Sequence, residues 1–200
     1  VDFLGRTNIS MQAVTATHQF PTGCAMSEER KKQVLNWAKK SERNFIIEDD
    51  YDGDLKYFEN GKAALKSMDK DDKVVYMGSF SNSISPGTRI SYMILPNNLL
   101  KEYKKRLPFL ICPVGNVNQE FLRIFLDEGL YFKHINKSIN HYRKKRNKII
   151  ETLMKKQSVR RIFGEVIGLY LSVELNTEED EEKIIERLRK NGILIYGMKK

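Results

Sequence analysis

Long apolar runs are missing from this chain of 200 residues; none approaches the roughly 18 consecutive apolar residues that a membrane-spanning helix needs. With 30% of residues charged, a membrane protein is the wrong class. The opening stretch VDFLGRTNIS lacks a basic-then-apolar signal pattern, so the chain reads as cytoplasmic. Cysteine is nearly absent. Cys24 and Cys112 lie far apart with no CxxC, which excludes a zinc site or a disulfide framework and leaves an expectation of two free, mostly buried thiols. Histidine is scarce too: His18, His134 and His141 have no further ligands at usable spacing, so no metal site is expected and packing or surface roles remain. No nucleophile elbow is present for Ser-His-Asp chemistry, and there is no internal repeat or low-complexity linker.

What is present is an ordinary globular composition with uneven charge. Hydrophobic residues make up 40% of the chain, enough to bury a core. The formal net charge is +9, and residues 131–161 hold eleven lysines and arginines against one acid, Glu151, so the remainder is close to neutral. A basic helix can be a footprint for phosphate backbones, but no zinc finger, RNA-binding aromatic motif or clear helix-turn-helix accompanies it. A solvated helix face is the plainer reading.

Periodicity and turn residues divide the chain into alternating elements. QAVTAT (12–17) reads as a strand that leads into the turn-rich HQFPTG. Ser27, followed by Glu28 and Glu29, caps a helix that runs to about Ser41 with Val34, Leu35, Trp37 and Ala38 as its buried stripe. NFIIED (44–49), KVVYMGS (73–79) and RISYMIL (89–95) read as strands, with DYDGDLKYFENGK as a loop. Because these strands are nearly all apolar and widely separated, they predict a parallel or mixed sheet buried on both faces. Helices follow from residue 97, the longest from about Leu130 to Lys156. Half-exposed strands, a helix terminated by Gly192 and a last strand ILIYG complete the chain. The expected fold class is therefore α/β: a mostly parallel sheet with flanking helices in residues 1–150, and a small C-terminal α+β domain in residues 151–200.

Ligands of open α/β sheets bind at the carboxyl ends of strands, and three such ends are chemically loaded here. They are THQFPTG (17–23), EDDYDGD (48–54) and GSFSNSISPGTR (78–89). An acid, a phenol and a serine-rich loop closed by an arginine suit a ligand with a cationic end, a hydroxyl and a phosphate. Together with IIEDDYDGDLKY, YMGSFSNSISPGTRISYMILP and GLYFKHINKSINHYRKKRNKIIETL, the wording of THQFPTG resembles the aminotransferase-like domain of the MocR/GabR branch of the GntR transcription regulators. The resemblance runs in order from about Ala13 to the C-terminus. It implies part of a fold-type I, class I/II aminotransferase architecture and pyridoxal 5′-phosphate as cofactor.

In that resemblance Asp49 matches the acid that pairs with the pyridine nitrogen, keeping the ring protonated as an electron sink. Tyr51 matches the phenol that hydrogen-bonds the ring 3′-oxygen, Ser79 and Ser81 the phosphate-binding hydroxyls, and Arg89 the phosphate-binding arginine. HQFPTG stands where aminotransferases carry an Asn-Pro-Thr-Gly turn; Phe20 takes the asparagine position and Pro21 is a candidate cis-proline. Asn82 stands where the family has the lysine that forms the Schiff base with the cofactor aldehyde. An amide lone pair is delocalised into its carbonyl, so Asn82 can neither form an imine nor shuttle the substrate proton. Lys66 and Lys73 lie outside the loop.

Three explanations of Asn82 stand open: a natural loss of catalysis, an engineered substitution, or cofactor held without a covalent bond. The resemblance also implies that the Gly-rich phosphate turn, the stacking aromatic ring and a winged-helix DNA-binding domain lie upstream of Val1, and that the substrate-carboxylate arginine lies beyond GILIYGMKK. It implies an effector-sensing, oligomerising domain: an amino-acid-like small molecule as effector, a homodimer, DNA contacted only through another domain, and no membrane partner. Two other readings are a fragment of an amino-acid aminotransferase with an altered catalytic lysine, and a structural remnant that binds no cofactor.

Overall fold

The computed structural model describes residues 9–57, 63–164 and 166–198. Strands β1 (Met11–Val14), β2 (Phe45–Asp49), β3 (Val74–Ser79) and β4 (Ser91–Ile94) form one sheet in that order. The first three are parallel, and β4 is antiparallel to β3. Helix α1 (Glu28–Lys39) joins β1 to β2 and starts at Ser27, whose hydroxyl accepts from the Arg30 N–H while Glu28 and Glu29 occupy the first turn. Its Val34, Trp37 and Ala38 pack on Ala16, Ile46, Leu65 and Val74 to make the core. Burying each of Val34, Ile46, Leu65 and Val74 contributes roughly 1.5–3 kcal/mol.

Only one face of the sheet is covered in this way. Met11 and Met93, on the opposite face, are each 56% exposed, and β4 is exposed along its whole length. The expectation of a sheet buried on both faces therefore fails: among the described residues, α1 covers one side and no second helical layer covers the other. Gly78 matters locally, since a Cβ there would lie 2.3 Å from the Tyr92 ring that leans across β3.

Helix α2 (Leu65–Met68), which the sequence pattern did not predict, is fixed by tertiary contact. Its first N–H groups, on Leu65 and Lys66, donate to the fully buried Glu48 carboxylate at 2.6 and 2.8 Å. Burial pushes the Glu48 carboxyl upward, against the pull of those two N–H groups. Helix α3 (Asn97–Arg106) is capped in the same remote fashion: the Asn97 N–H donates to Asp72 at 2.6 Å. Asp72 holds a left-handed backbone, φ 55°, and lies 3.4 Å from the Lys66 ammonium.

Helices α4 (Asn116–Asp127) and α5 (Leu130–Met154) meet through Phe125 and Tyr131, ring centroids 6.3 Å apart. The basic helix α5 is not simply a solvated face. Arg146 is buried, lies 4.7 Å over the Tyr57 ring and donates to the Gly164 carbonyl. Beyond it, β5 (Val159–Phe163) and β6 (Ser172–Leu175) pair antiparallel, and α6 (Glu181–Lys190) follows, capped by Asp180. The expected strand at 193–197 is absent. Ile193, Leu194 and Tyr196 are 51%, 63% and 84% exposed, with no described strand beside them to complete a ladder. Both cysteines are free and exposed rather than buried, because Cys24 lies in a turn and Cys112 in the loop between α3 and α4. Among the described residues no helix is long and apolar enough to cross a membrane.

The Asp72 cap gives a pH-dependent expectation. The Asn97 N–H, then Lys66, hold its carboxyl below the ordinary value of 3.8, so its contribution is full above that value and is lost as pH falls through the lower folded value. Asp72→Asn, which keeps a residue tolerant of positive φ, should lower stability by about 0.3–1 kcal/mol at pH 7 in urea titrations. The difference from wild type should shrink as pH falls below 3.8 and through the lower folded value; a difference that does not change with pH would contradict the charge-based cap.

Candidate functional site

The stretch Glu48–Asp54 runs from the carboxyl end of β2 into a turn over Tyr51–Asp54. Its four even positions are all acids, and each reaches a different element. Glu48 caps α2. Asp50 accepts from the Thr17 hydroxyl and, at 2.8 Å, from the Tyr76 hydroxyl of β3. Asp52 meets His18 Nδ1 at 3.0 Å and the Asn82 amide at 2.8 Å. Asp54 accepts from the Tyr131 hydroxyl at 2.6 Å, tying α5 to the strand end. Glu48, Asp50 and Asp52 are buried, so these partners satisfy carboxylates that are out of water.

The odd positions carry the residues expected at a cofactor. Asp49 is exposed at the strand end, opposite Met77 in register, and among the described residues no side chain donates to its carboxylate. Partial burial, then the neighbouring Asp50 charge, pushes its carboxyl upward. Tyr51 is half-buried; its hydroxyl donates to the His18 carbonyl at 2.7 Å and lies 3.2 Å from the Tyr170 hydroxyl. Burial, then the bond with Tyr170, holds the Tyr51 phenol firmly protonated.

The loop after β3 folds back beside them. The Phe80 N–H donates to Ile90 O and the Ile84 N–H to Phe80 O, closing the loop at its base. The Ser79 hydroxyl accepts from the Ser81 N–H at 3.2 Å, so these two expected phosphate ligands are adjacent in space. Ser83 is buried, 3.4 Å from the Tyr131 hydroxyl, and the Phe80 ring meets Tyr131 edge-on at 5.7 Å. Arg89 is exposed with a left-handed backbone, φ 47°, and among the described residues no carboxylate pairs with it. Asn82 is drawn toward β2: besides Asp52, its amide nitrogen approaches the Tyr51 carbonyl at 3.4 Å.

The third loaded segment, THQFPTG, lies against the same strand end. The Phe20–Pro21 bond is cis, as the turn wording suggested. His18 is 2% exposed, held by Asp52, with its ring stacked 4.3 Å from Tyr170. Its Nε2 is buried without a hydrogen-bond partner among the described residues.

The expected residues Asp49, Tyr51, Ser79, Ser81 and Asn82 thus gather around the ends of β2 and β3, with Arg89 at the start of β4. Thr17, Asp50 and Asp52 lie in segments the sequence marked as chemically loaded but carried no assigned role, and Tyr170 went unremarked. The i, i+2 spacing of Glu48, Asp50, Asp52 and Asp54 is the signal that would have found the acids. Nothing local marks Tyr170. Among the described residues no group of three or more metal-ligating side chains occurs.

No family model matches the chain. Among curated proteins it is 39% identical over 184 residues to the uncharacterized HTH-type transcriptional regulator YdeL of Bacillus subtilis (strain 168), covering 92% of this chain and 40% of that protein. It is 28% identical over 128 residues to the probable rhizopine catabolism regulatory protein MocR of Rhizobium meliloti, covering 62% of this chain and 25% of that one. Among solved structures, the kynurenine aminotransferase of Pyrococcus horikoshii, in complex with PMP, matches with a TM-score of 0.78 and 27% identity, covering 95% of this chain and 47% of that one. The chain thus spans less than half the length of each of these relatives. These sequence relatives are helix-turn-helix transcriptional regulators and the fold is that of the fold-type I aminotransferases, so the chain is similar in sequence to part of the MocR-type regulators and in fold to part of an aminotransferase.

Proposed function

We propose that this chain is the pyridoxal-phosphate-binding, effector-sensing part of a MocR/GabR-type regulator, and that its cofactor is held without a covalent bond. The donor set fits the group. Asp49, with no side chain bonded to it among the described residues, suits a pyridinium N–H, and the firmly protonated Tyr51 suits a ring oxyanion. The Ser79 and Ser81 hydroxyls and the Arg89 guanidinium suit a phosphate. When bound, pyridoxal phosphate supplies an aldehyde and an electron-withdrawing ring. The chain's own residues position it.

The observation that carries the reading is the Asn82 amide on Asp52 at 2.8 Å. Position 82 is occupied by a side chain built into the site yet unable to attack a carbonyl, which favours binding over turnover. In this reading residues 1–150 form the cofactor-bearing part and 151–200 a small C-terminal domain. The effector is a small amino-acid-like molecule. DNA contact belongs to a helix-turn-helix domain of a longer parent, as the relatives' names support. A homodimer is supported by apolar side chains left in solvent between β4 and α5, with Phe109, Ile111 and Phe132 exposed by 72%, 90% and 64%.

Pyridoxal phosphate titrated into the wild-type chain should bind reversibly, with no borohydride-stabilised adduct at residues 78–89 by peptide mass spectrometry. Asn82→Lys should acquire such an adduct at position 82, and Asp49→Asn should weaken wild-type binding about tenfold, the equivalent of one lost charge-assisted contact. Absence of binding by both wild type and Asn82→Lys would leave the structural-remnant reading. Independently of cofactor, Asn82→Ala leaves the buried Asp52 carboxylate with one donor fewer and should cost about 1–3 kcal/mol in urea unfolding. An unchanged midpoint would show that the Asn82–Asp52 bond does not form in solution.

A further inference from the structure

Tyr170 lies 119 residues from Tyr51 in sequence, in the segment leading into β6, yet its hydroxyl is 3.2 Å from that of Tyr51 and 3.2 Å from the Gln19 carbonyl. We infer that Tyr170 is a positioning residue of the same site, which acts through Tyr51 by donating to its hydroxyl when Tyr51 turns its own proton to a ligand oxyanion. This inference rests on the reading of Tyr51 as the phenol that meets the ligand's ring oxygen.

The proton count leads to it. Two phenols carry two protons, and the oxygens within reach are His18 O, Gln19 O and the partner phenol. The Tyr51 bond to His18 O is the shortest, at 2.7 Å, so without ligand Tyr51 donates there and Tyr170 divides its proton between Gln19 O and Tyr51. A ligand oxyanion draws the Tyr51 proton away from His18 O. The phenol oxygen then gains electron density and becomes a better acceptor, and Tyr170 is the donor in place to use it. Hydrogen bonds in such a chain reinforce one another.

The backbone around Tyr170 is built to hold it there. Its ring stacks on His18 at 4.3 Å and 21°, and His18 is fixed by Asp52. Gly168 permits this approach: it has φ +84°, and a Cβ would lie 2.4 Å from the His18 ring. The Tyr57 hydroxyl donates to Gly168 O at 2.6 Å, and the Ser172 hydroxyl to Pro21 O at 2.6 Å. Tyr170 therefore sits between two anchors on the turn and the strand end, with its hydroxyl as the variable bond.

The test compares affinities for pyridoxal 5′-phosphate and for its 3-deoxy analogue, which lacks the ring oxygen, in wild type, Tyr170→Phe, Tyr51→Phe and the double variant. Tyr170→Phe keeps the ring on His18, and a near-native unfolding midpoint checks that each variant is folded. Tyr170→Phe should lose about 5–10-fold in affinity for pyridoxal phosphate and nothing for the analogue. In the Tyr51→Phe background, Tyr170→Phe should have no further effect. Equal losses for both ligands, or losses that multiply in the double variant, would reduce Tyr170 to packing and overturn the inference alone. Failure of wild type to bind either ligand would overturn the reading of the site and the inference with it. Should Tyr170→Phe not fold, the discrimination between the two ligands by Tyr170→Trp is measured instead, with the same outcomes.

Discussion

The structure depends on satisfying carboxylates withdrawn from water along one strand end. Glu48, Asp50 and Asp52 are buried at alternate positions, and an unpaired carboxylate in such surroundings is among the most costly groups a protein can hold. Each is therefore met by donors, and the donors come from elsewhere in the chain: the first turn of α2, Thr17 with Tyr76, and His18 with Asn82. Asp54 extends the series to α5 through Tyr131. The consequence is structural economy. One heptapeptide, a strand end that runs into a turn, draws together the turn after β1, the loop after β3, a short helix and the longest helix. The contact to the short helix adjoins the apolar core, since Leu65 belongs to both; the others lie outside the core cluster.

The same alternation sets the polarity of the site. Glu48, Asp50 and Asp52 are buried, whereas Asp49 is exposed and Tyr51 is half-buried. That division explains how two adjacent aspartates have opposite fates. Asp50 is bonded on both oxygens, whereas no described side chain meets the Asp49 carboxylate, whose proton affinity is raised by partial burial and then by the Asp50 charge. Fully bonded buried carboxylates beside Asp49, which no described side chain meets, and Tyr51, which is itself held by His18 O and Tyr170, give the supported side chains that placement of a ligand requires.

Much of this was legible in the sequence because it is local. Apolar runs marked β2 and β3, Ser27 with its following glutamates marked α1, and HQFPTG marked the cis turn. What was not legible is tertiary. Helix α2 has only four residues and exists through Glu48, and α3 takes its cap from Asp72, 25 positions away. ILIYG has the pattern of a strand, but a strand is a relation between two segments and no described neighbour supplies the second. Cys24 and Cys112 follow the turn and loop that carry them rather than the usual preference of thiols for the interior. Tyr170 was invisible for the same reason: its role is a distance, not a composition.

Asn82 gains a different meaning from its surroundings. Lysine and asparagine differ in nucleophilicity, yet both carry N–H donors. The neighbouring Asp52 needs a donor from the loop, since His18 supplies only one, and the Asn82 amide provides it. In the proposed reading, covalent chemistry at position 82 is thus separable from the architecture that holds the loop. A side chain lacking any donor would break both, whereas asparagine surrenders the first and keeps the second. In the proposed reading this separation suits a sensor. Its ligand must bind, alter bonds such as those of Tyr51, and leave unchanged, so a pocket that retains its donors without its nucleophile meets all three requirements.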